Sequence, residues 1–211
     1  MVYFSRKLFP VLTLAILSAQ TSQSIHQIQS EYYKTIPTPP VDRVTVLTGL
    51  DVLLEKKIGL ITGKAIALVT NQTGIDRYGS PNYKRLLDLD DINLQVIFSP
   101  EHGLFGEADE VITYDKNIKG IPKVFSLYGK VRKPTPEMLQ GVDLIIYDIQ
   151  DIGARFYTYI STLGLVMEAA GALQIPVLVL DRPNPIRSDI VEGPLLDLNY
   201  QSFVGKYPIP I

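Results

Sequence analysis

The sequence of 211 residues contains no cysteine. This absence excludes disulfide bonds, thiolate nucleophiles, zinc sites with cysteine ligands and a lipid-modified cysteine after a leader. An excess of charge of one sign is also lacking, because 20 basic residues are balanced by 22 acidic ones. The chain therefore gives no electrostatic reason to expect a nucleic acid or an anionic membrane as a partner.

Several sequence signatures of nucleotide binding and nucleophilic catalysis are missing as well. The turn at residues 71–76 has no G-x-G-x-x-G pattern, and neither a P-loop nor a G-x-S-x-G elbow is present. A chain with two histidines and no cysteine cannot build a histidine-rich metal site, although Asp148 and Asp151 can hold a hard cation weakly. We therefore expect no cofactor and no resident metal ion.

The first 24 residues have the pattern of a signal peptide. Arg6 and Lys7 precede an apolar stretch over residues 8–19, which is too short to span a bilayer and suits the core of a leader. No clean Ala-x-Ala cleavage site follows, so an uncleaved anchoring helix is the alternative. Residues 25–46 are polar and then proline-containing, which predicts a flexible linker. We expect an exported protein, periplasmic or extracellular, with no membrane span after cleavage.

Continuous apolar runs predict five buried strands within one domain at residues 47–211. Because these strands alternate with helical segments, the fold class is predicted to be α/β, with a mostly parallel sheet and helices on both faces. The predicted strands are residues 65–70, 94–98, 123–128, 143–148 and 177–181. The predicted helices are residues 48–54, residues 83–89, one that starts at Thr135-Pro136, and one within 155–173, where Ile160, Leu163, Met167 and Ala170 recur at helical spacing.

Polar side chains follow four of the predicted strands. Because the carboxyl ends of parallel strands meet at one edge, where open α/β proteins bind ligands, we expect a shared crevice there. Carboxylates are the best reactive groups available, and paired carboxylates suit glycoside hydrolysis, in which one protonates the leaving oxygen and the other assists attack. The residues concerned are Asn71, Glu101 with His102, Asp148 with Asp151, and Asp181 with Arg182 and Asn184.

The strand at 94–98 leads into Ser99-Pro100-Glu101-His102-Gly103-Leu104-Phe105-Gly106. Pro100 cannot donate to a strand ladder, so pairing is expected to stop there and the chain to turn outward. An acid and an imidazole side by side at this corner can transfer protons. A polar loop with a solvent-facing His102 is the alternative interpretation.

Taken together, the motifs along the chain resemble the exo-β-N-acetylmuramidases, a bacterial family long catalogued as a domain of unknown function. The resemblance implies a Rossmann-like domain followed by a smaller C-terminal domain, and release of N-acetylmuramic acid from the non-reducing ends of peptidoglycan fragments. The motifs that carry it are collinear and lie at residues 98–103, 126–129, 133–139, 147–153, 155–159, 167–170, 180–185, 191–194 and 203–210.

The resemblance also implies roles for individual residues. Glu101 matches the catalytic acid, and Glu168 matches a second glutamate, for which an ordinary place on a helix face is the alternative. Arg182 is expected to pair with the lactyl carboxylate of muramic acid, since guanidinium and carboxylate groups match in geometry; a structural pairing with Asp181 is the alternative. The expected substrate-binding residues are Asn71, His102, Asp148, Asp151, Arg155, Tyr157, Asp181, Arg182 and Asn184, with core packing as the alternative for Tyr157.

Two departures from the family pattern qualify this expectation. Residues 107–110 form a shorter loop beside the acid than family members have, and the chain stops at Ile211, where they continue into the second domain. We therefore expect a truncated product whose missing partner is that C-terminal domain. The rival interpretations are a non-catalytic module that binds cell-wall sugars and an esterase-like or cation-dependent hydrolase.

Overall fold

The structure is a computed structural model that describes residues 46–106 and 120–211. The predicted leader, the predicted linker as far as Thr45 and the loop at residues 107–110 lie outside the described residues. Within them, no helix combines the length and the apolar character that crossing a membrane requires.

Five parallel strands form the sheet, in the order β3-β2-β1-β4-β5. All five predicted strands are confirmed, and β1 is the central one, paired with β2 on one side and β4 on the other. The chain runs outward from β1 to β3 and then crosses to β4, so the strand order switches between β1 and β4. The strands are β1 (Ala65–Thr70), β2 (Asn93–Ser99), β3 (Lys123–Ser126), β4 (Leu144–Asp148) and β5 (Val177–Val179).

Burial explains why the central strands are apolar along their whole length. Every residue of β4 is buried, and so is every residue of β1 after Ala65. Parallel strands covered on both faces lose the alternation of polar and apolar residues that a half-exposed strand shows. The short β5 lies at an edge, where Val179 is 46% exposed.

Helices α1 (Gly49–Lys56), α2 (Asn82–Leu87) and α3 (Tyr159–Leu173) confirm three of the predicted helices. Short 3₁₀ turns are present at Ile58–Leu60 and Leu198–Tyr200. Thr48 begins α1 with a capping box: its hydroxyl accepts from the Asp51 amide at 3.3 Å, and Asp51 accepts from the Thr48 amide at 3.0 Å. These two bonds satisfy amides that the first turn leaves without helical partners.

The helix predicted at Thr135-Pro136 is wrong. The amides of Met138 and Leu139 do donate to the Thr135 carbonyl, at 3.1 and 3.2 Å, but residues 136–141 form consecutive turns. Gly141 takes a φ of 76°, a left-handed conformation that ends helical winding. The amide of Asp143 already donates to Ala65 in β1, so the chain has no length left for a second helical turn.

Two apolar clusters lie on opposite faces of the sheet, as the prediction of helices on both faces requires. Alternate residues of β1 enter each cluster, Ile66 with Leu50 of α1 in one and Ala67 with Val166 of α3 in the other. The face of α3 that packs on the sheet differs in part from the predicted one, since Met167 is 52% exposed. The observed buried residues of α3 are Tyr159, Ser161, Thr162, Val166, Ala169 and Ala170.

Candidate active site at the carboxyl edge of the sheet

The loops that follow β1, β2 and β4 contact one another at the carboxyl edge of the sheet. Gly106, in the loop after β2, lies against Gln72, so that a Cβ there would come within 2.8 Å of the glutamine side chain. The Gln150 amide, after β4, donates to the Thr73 hydroxyl at 2.9 Å. The structure thus brings the polar strand ends together, but they separate into two clusters with different bonding.

Asp148, the last residue of β4, is fully buried and has partners at both carboxylate oxygens. Arg182 donates to Oδ1 from Nε at 2.7 Å and to Oδ2 from Nη2 at 3.1 Å, and Asn82 donates to Oδ2 at 2.8 Å. Asn82 also donates to the Thr70 hydroxyl, which donates to the Asp148 main-chain oxygen at 2.9 Å. We call Thr70, Asn82, Asp148 and Arg182 the closed cluster, because none of their buried side-chain polar atoms lacks a partner.

The closed cluster changes the interpretation of Arg182. Its alternative pairing with Asp181 is wrong, because Asp181 accepts from the Arg182 backbone amide, at 2.9 Å, and Asp148 is the carboxylate that pairs with the guanidinium. The guanidinium also donates to the Ile75 carbonyl at 3.0 Å, and the side chain is 6% exposed. The expected pairing of Arg182 with a lactyl carboxylate therefore gains no support, since the guanidinium is used within the fold.

Glu101 lines a separate pocket of about 340 Å³. Its walls come from the loops after β2 and β3, from the residue before α3 and from the C-terminal segment. A larger groove of about 730 Å³ lies between α1 and β5, but its walls are mostly apolar and Asp181 is the one carboxyl group lining it among the described residues. We therefore place the reactive chemistry in the smaller pocket, which we call the Glu101 pocket and which is lined by Glu101, His102, Tyr128, Arg132, Thr158, Phe203 and Val204.

The backbone around Glu101 has an unusual conformation. His102 and Gly103 follow it with φ values of 67° and 69°, and the Gly103 amide donates to the Pro100 carbonyl at 3.2 Å. A left-handed conformation at a residue other than glycine costs on the order of 1–3 kcal/mol and is found most often at functional sites. His102 is exposed, as its alternative interpretation expects, and it still lines the pocket beside the acid.

The carboxyl group of Glu101 is half-buried, and its Oε2 atom is buried without a hydrogen-bond partner among the described residues. Burial raises the pKa of this carboxyl above its ordinary value, and a backbone hydrogen bond and the charges of His102 and Arg132 reverse only part of that shift. A raised pKa keeps the proton on the carboxyl to higher pH. This is the property that a general acid needs.

Three more side chains at this edge have a buried polar atom without a partner: Asn71 Nδ2, Ser99 Oγ and Thr162 Oγ1. Asn71 follows β1, Ser99 ends β2, and Thr162 lies near the start of α3. With Glu101 Oε2 they are the only such atoms in residues 46–106 and 120–211. An atom of this kind costs about 1–3 kcal/mol; we call these four residues the open cluster, of which Glu101 alone lines the pocket.

Tyr147 and Tyr159 lie near two residues of the open cluster, Glu101 and Asn71. The Tyr147 hydroxyl donates to the Tyr159 carbonyl at 2.9 Å. Burial raises the pKa of both phenols, and the charge of Glu101 raises it further, so Glu101 lies within electrostatic range of both rings. The Asn71 side chain beside Tyr159 partly opposes this rise, although its Nδ2 makes no hydrogen bond of good geometry. Both phenols stay protonated over the physiological pH range.

Asp151, Asp181 and Asn184 stabilise turns after β4 and β5. Asp151 accepts from the Gly153 amide at 2.7 Å, and Asn184 accepts from the Ile186 amide at 2.9 Å. Asp151 and Asp181 also line a cavity of about 150 Å³ beside the two phenols. Their predicted roles in substrate binding stay predictions.

Arg155 fixes the C-terminal segment against the start of α3. Its Nη1 donates to the carbonyls of Pro194 and Ile209, at 2.8 and 2.7 Å. This segment supplies Phe203 to the Glu101 pocket, so Arg155 shapes the pocket without lining it. Tyr157 packs edge-on against the Tyr159 ring, with 4.8 Å between ring centroids, which agrees with the core-packing alternative.

Glu168 does not line the Glu101 pocket. Its side chain is 51% exposed on α3 and lies 3.8 Å from the Lys206 ammonium. Thr158, just before α3, does line the pocket, and the ten residues from there to Glu168 rise by about 15 Å along a helix. The observed place matches the alternative of a helix-face glutamate, and the catalytic role of Glu168 stays a prediction.

Five pocket residues were not singled out from the sequence: Tyr128, Arg132, Thr158, Phe203 and Val204. Tyr128 and Phe203 lie within motifs that carry the family resemblance, so a search for aromatic side chains in those motifs would have found them. Arg132 lies in the basic stretch at residues 130–133 and stacks over the Phe203 ring, 4.7 Å from its centroid. No local pattern connects residues so far apart in sequence.

Among the described residues, no group of three or more histidine, aspartate or glutamate side chains is placed to hold a metal ion.

The chain is similar in sequence and in structure to proteins of one family. Residues 66–211 match the family described as exo-beta-N-acetylmuramidase NamZ, N-terminal. The peptidoglycan beta-N-acetylmuramidase NamZ of Bacillus subtilis (strain 168) is 49% identical over 169 residues, which cover 79% of this chain and 41% of that protein. Crystal structures of two DUF1343 family proteins from Bacteroides fragilis NCTC 9343 are also similar, one with 44% identity and a TM-score of 0.71, the other with 36% and 0.65. Each match covers 78% of this chain, and 41% and 42% of the two solved chains.

Proposed function

This chain belongs to the family of the N-terminal region of the exo-β-N-acetylmuramidase NamZ, and from that premise we propose that it releases N-acetylmuramic acid from the non-reducing ends of peptidoglycan fragments. The named relative supports the substrate class. Because the chain spans 41% of that relative, the activity itself is our proposal. The observation that carries it is the half-buried Glu101 carboxyl, with a raised pKa and an unpartnered oxygen, in the wall of a pocket.

In the proposed reaction Glu101 acts as the general acid. Its protonated carboxyl donates to the glycosidic oxygen while the bond from the anomeric carbon to that oxygen breaks. Water then adds to the anomeric carbon, and the proton that it releases returns, directly or through solvent, to the Glu101 carboxylate, which gives free N-acetylmuramic acid, a shortened saccharide and the acid in its starting form. Proton transfer by a positioned acid contributes about 10²- to 10⁴-fold to such a rate.

The remaining pocket residues suit a sugar ligand. The Tyr128 and Phe203 rings offer flat apolar surfaces on which the face of a pyranose can pack. Hydroxyl and acetamido groups of the sugar would pair with polar side chains that line the pocket, among them Thr158 and Arg132. The resemblance implies Glu168 as the carboxylate that assists water, although Glu168 does not line the pocket; a Glu168→Gln variant of unchanged activity would remove it from that role.

We also propose that the protein acts outside the cytoplasm. The basic and apolar pattern of residues 1–24 supports export, and peptidoglycan lies outside the inner membrane. Expression of the full chain in a bacterial host, followed by fractionation and N-terminal sequencing, tests this. A processed N-terminus near residues 19–24 in the exported fraction is expected; an intact N-terminus in the cytoplasm contradicts export.

A non-catalytic sugar-binding module is the second candidate. One observation favours it: among the described residues, Glu101 is the only carboxyl group lining the pocket, whereas glycosidases commonly use two. A module of this kind binds saccharides through the same aromatic and polar side chains without breaking a bond.

Turnover of a chromogenic β-N-acetylmuramide separates the two candidates. We expect the parent chain and a Glu137→Gln control, altered at an exposed glutamate outside the pocket, to release the chromophore. On the disaccharide N-acetylmuramyl-β-1,4-N-acetylglucosamine, whose leaving group is a basic sugar oxygen, we expect Glu101→Gln to lose about 10²- to 10⁴-fold in kcat with an unchanged circular dichroism spectrum. A folded parent that binds the saccharide but releases nothing would support the binding module and contradict the glycosidase.

A further inference from the structure

The Glu101 pocket is lined by a guanidinium group as well as by an acid. Arg132 follows β3, and its guanidinium carbon lies 4.7 Å from the centroid of the Phe203 ring. Its charge reaches the Glu101 carboxyl, yet the two groups form no ion pair. The acid and the cation therefore lie at separate places in the wall of one pocket, and a ligand that occupies the pocket can contact both.

Arg132 differs from the other arginines of the described residues. Arg77 and Arg85 pair with Glu55 and Asp76, Arg182 pairs with Asp148, and Arg187 pairs with Asp189. Arg155 donates to two main-chain carbonyls. Within residues 46–106 and 120–211, Arg132 is the one arginine whose guanidinium has neither an ion pair nor a hydrogen bond to the protein. Its guanidinium instead stacks on the Phe203 ring.

Stacking of this kind prepares a guanidinium for an anionic ligand. The ring supports one face of the planar group and limits its motion, while the N–H donors in the plane stay available. Two parallel N–H groups match the two oxygens of a carboxylate, which gives a short charge-assisted pair. Nothing in a neutral pyranose requires such a group, whereas a sugar with a carboxylate substituent does.

We propose that Arg132 binds the lactyl carboxylate of the substrate and makes the Glu101 pocket selective for N-acetylmuramic acid over N-acetylglucosamine. The two sugars differ only in the lactyl ether, so a single guanidinium at the right place discriminates between them. This inference rests on the proposed function for its ligand. It also transfers to Arg132 the role that the sequence suggested for Arg182, whose guanidinium is buried against Asp148.

Calorimetric titration tests the proposal without requiring turnover. The ligands are the methyl β-glycosides of N-acetylmuramic acid and N-acetylglucosamine, and the proteins are the full chain, Arg132→Gln, Arg132→Lys and a Lys133→Gln control, which removes a neighbouring charge outside the pocket. We expect the parent to prefer the muramide by about 10- to 100-fold. Arg132→Gln should remove that preference by lowering the affinity for the muramide alone. Arg132→Lys keeps the positive charge but lacks the two parallel N–H donors, so it should retain part of the preference.

Each outcome separates this inference from the proposed function. An unchanged preference in Arg132→Gln, or a parent that binds both sugars equally or neither, would overturn the assignment of Arg132, whatever the turnover assay shows. A preference that depends on Arg132 in a chain that hydrolyses no muramide would support the assignment and contradict only the glycosidase. Thermal unfolding of Arg132→Gln near that of the parent would show that a lost preference does not come from a lost fold.

Discussion

The closed and open clusters meet at the end of β1, where Thr70 belongs to the first and Asn71 to the second. In the closed cluster every buried side-chain polar atom has a partner, and a buried carboxylate and a guanidinium neutralise each other. In the open cluster four buried atoms have none among the described residues. Polar groups that are paired within the protein stabilise the fold, whereas Glu101, the one residue of the open cluster that lines the pocket, keeps a carboxylate oxygen without a partner among the described residues.

The difference in pairing between the two clusters also explains the position of the pocket. Open α/β proteins commonly bind ligands where the strand order switches, which here is between β1 and β4. Asn82 and Arg182 fill that position by bonding to Asp148. The carboxyl group available to a ligand is instead Glu101, beyond the end of the neighbouring β2, and the pocket lies there.

The largest predicted effect comes from removing Asp148. The Asp148→Ala variant leaves the Arg182 guanidinium buried without its carboxylate, and breaking a buried pair from one side destabilises by about 3–5 kcal/mol. Since domains are stable by only about 5–15 kcal/mol, urea denaturation should show a large fall in the free energy of unfolding. Asp189→Ala removes an exposed ion pair with Arg187 and serves as the control, with little change expected. Equal losses in the two variants would show that the closed cluster does not stabilise the fold as described.

A matched pair of threonines sharpens the comparison. Both side chains are fully buried, but the Thr70 hydroxyl bonds to Asn82 and Asp148, whereas the Thr162 hydroxyl has no partner among the described residues. Thr70→Val should lower the free energy of unfolding by about 1–3 kcal/mol, because it leaves buried partners unpaired. Thr162→Val should leave the free energy of unfolding unchanged or slightly raised, because the hydroxyl that it removes has no partner among the described residues. A loss of stability at Thr162 as large as that at Thr70 would mean that its hydroxyl is bonded within the protein.

The smallest predicted effect is a pH dependence of stability at Glu101. Because burial raises the pKa of Glu101 in the folded state, the folded protein holds this proton more tightly than the unfolded chain does. The resulting stability is fully present below the ordinary glutamate pKa and is lost as pH rises through the raised pKa. Glu101→Gln removes that loss, so the variant should gain stability relative to the parent between acidic and neutral pH. Urea denaturation of the parent and the variant at acidic and at neutral pH measures this difference in the free energy of unfolding. A variant that is less stable than the parent at neutral pH, relative to acidic pH, would contradict the raised pKa of Glu101.

Much of the fold could be predicted from the sequence because its causes are local. The buried strands are continuous apolar runs, and Thr48 with Asp51 indicates the start of α1. The single turn at residues 136–141 could not be predicted, because it depends on how soon Asp143 must pair with Ala65. The buried face of α3 was predicted only in part: Ala170 is buried and Leu163 packs against the core. Met167 is exposed because the stripe that packs on the sheet runs through Thr162, Val166 and Ala169.

Less of the candidate site could be predicted, since its contacts join distant parts of the chain. Glu101 was found because it lies within a motif at the end of a strand. The partner of Arg182 is Asp148, on an adjacent strand, and only the register of β4 and β5 brings them together. Arg132 is placed by Phe203, whose position depends on the path of the C-terminal segment. Glu168 matched the second glutamate of the family by its order in the sequence, but its side chain lies exposed on α3 and does not line the pocket.

The most direct test of the central claim, that Glu101 is the acid of a muramidase pocket, varies the leaving group. Cleavage of the disaccharide N-acetylmuramyl-β-1,4-N-acetylglucosamine needs protonation of the departing sugar oxygen, whereas a 2,4-dinitrophenyl group departs readily without it. We predict that Glu101→Gln loses about 10²- to 10⁴-fold in kcat on the first substrate and far less on the second. Equal losses on the two substrates, or no loss on either, would contradict the assignment of Glu101 as the general acid.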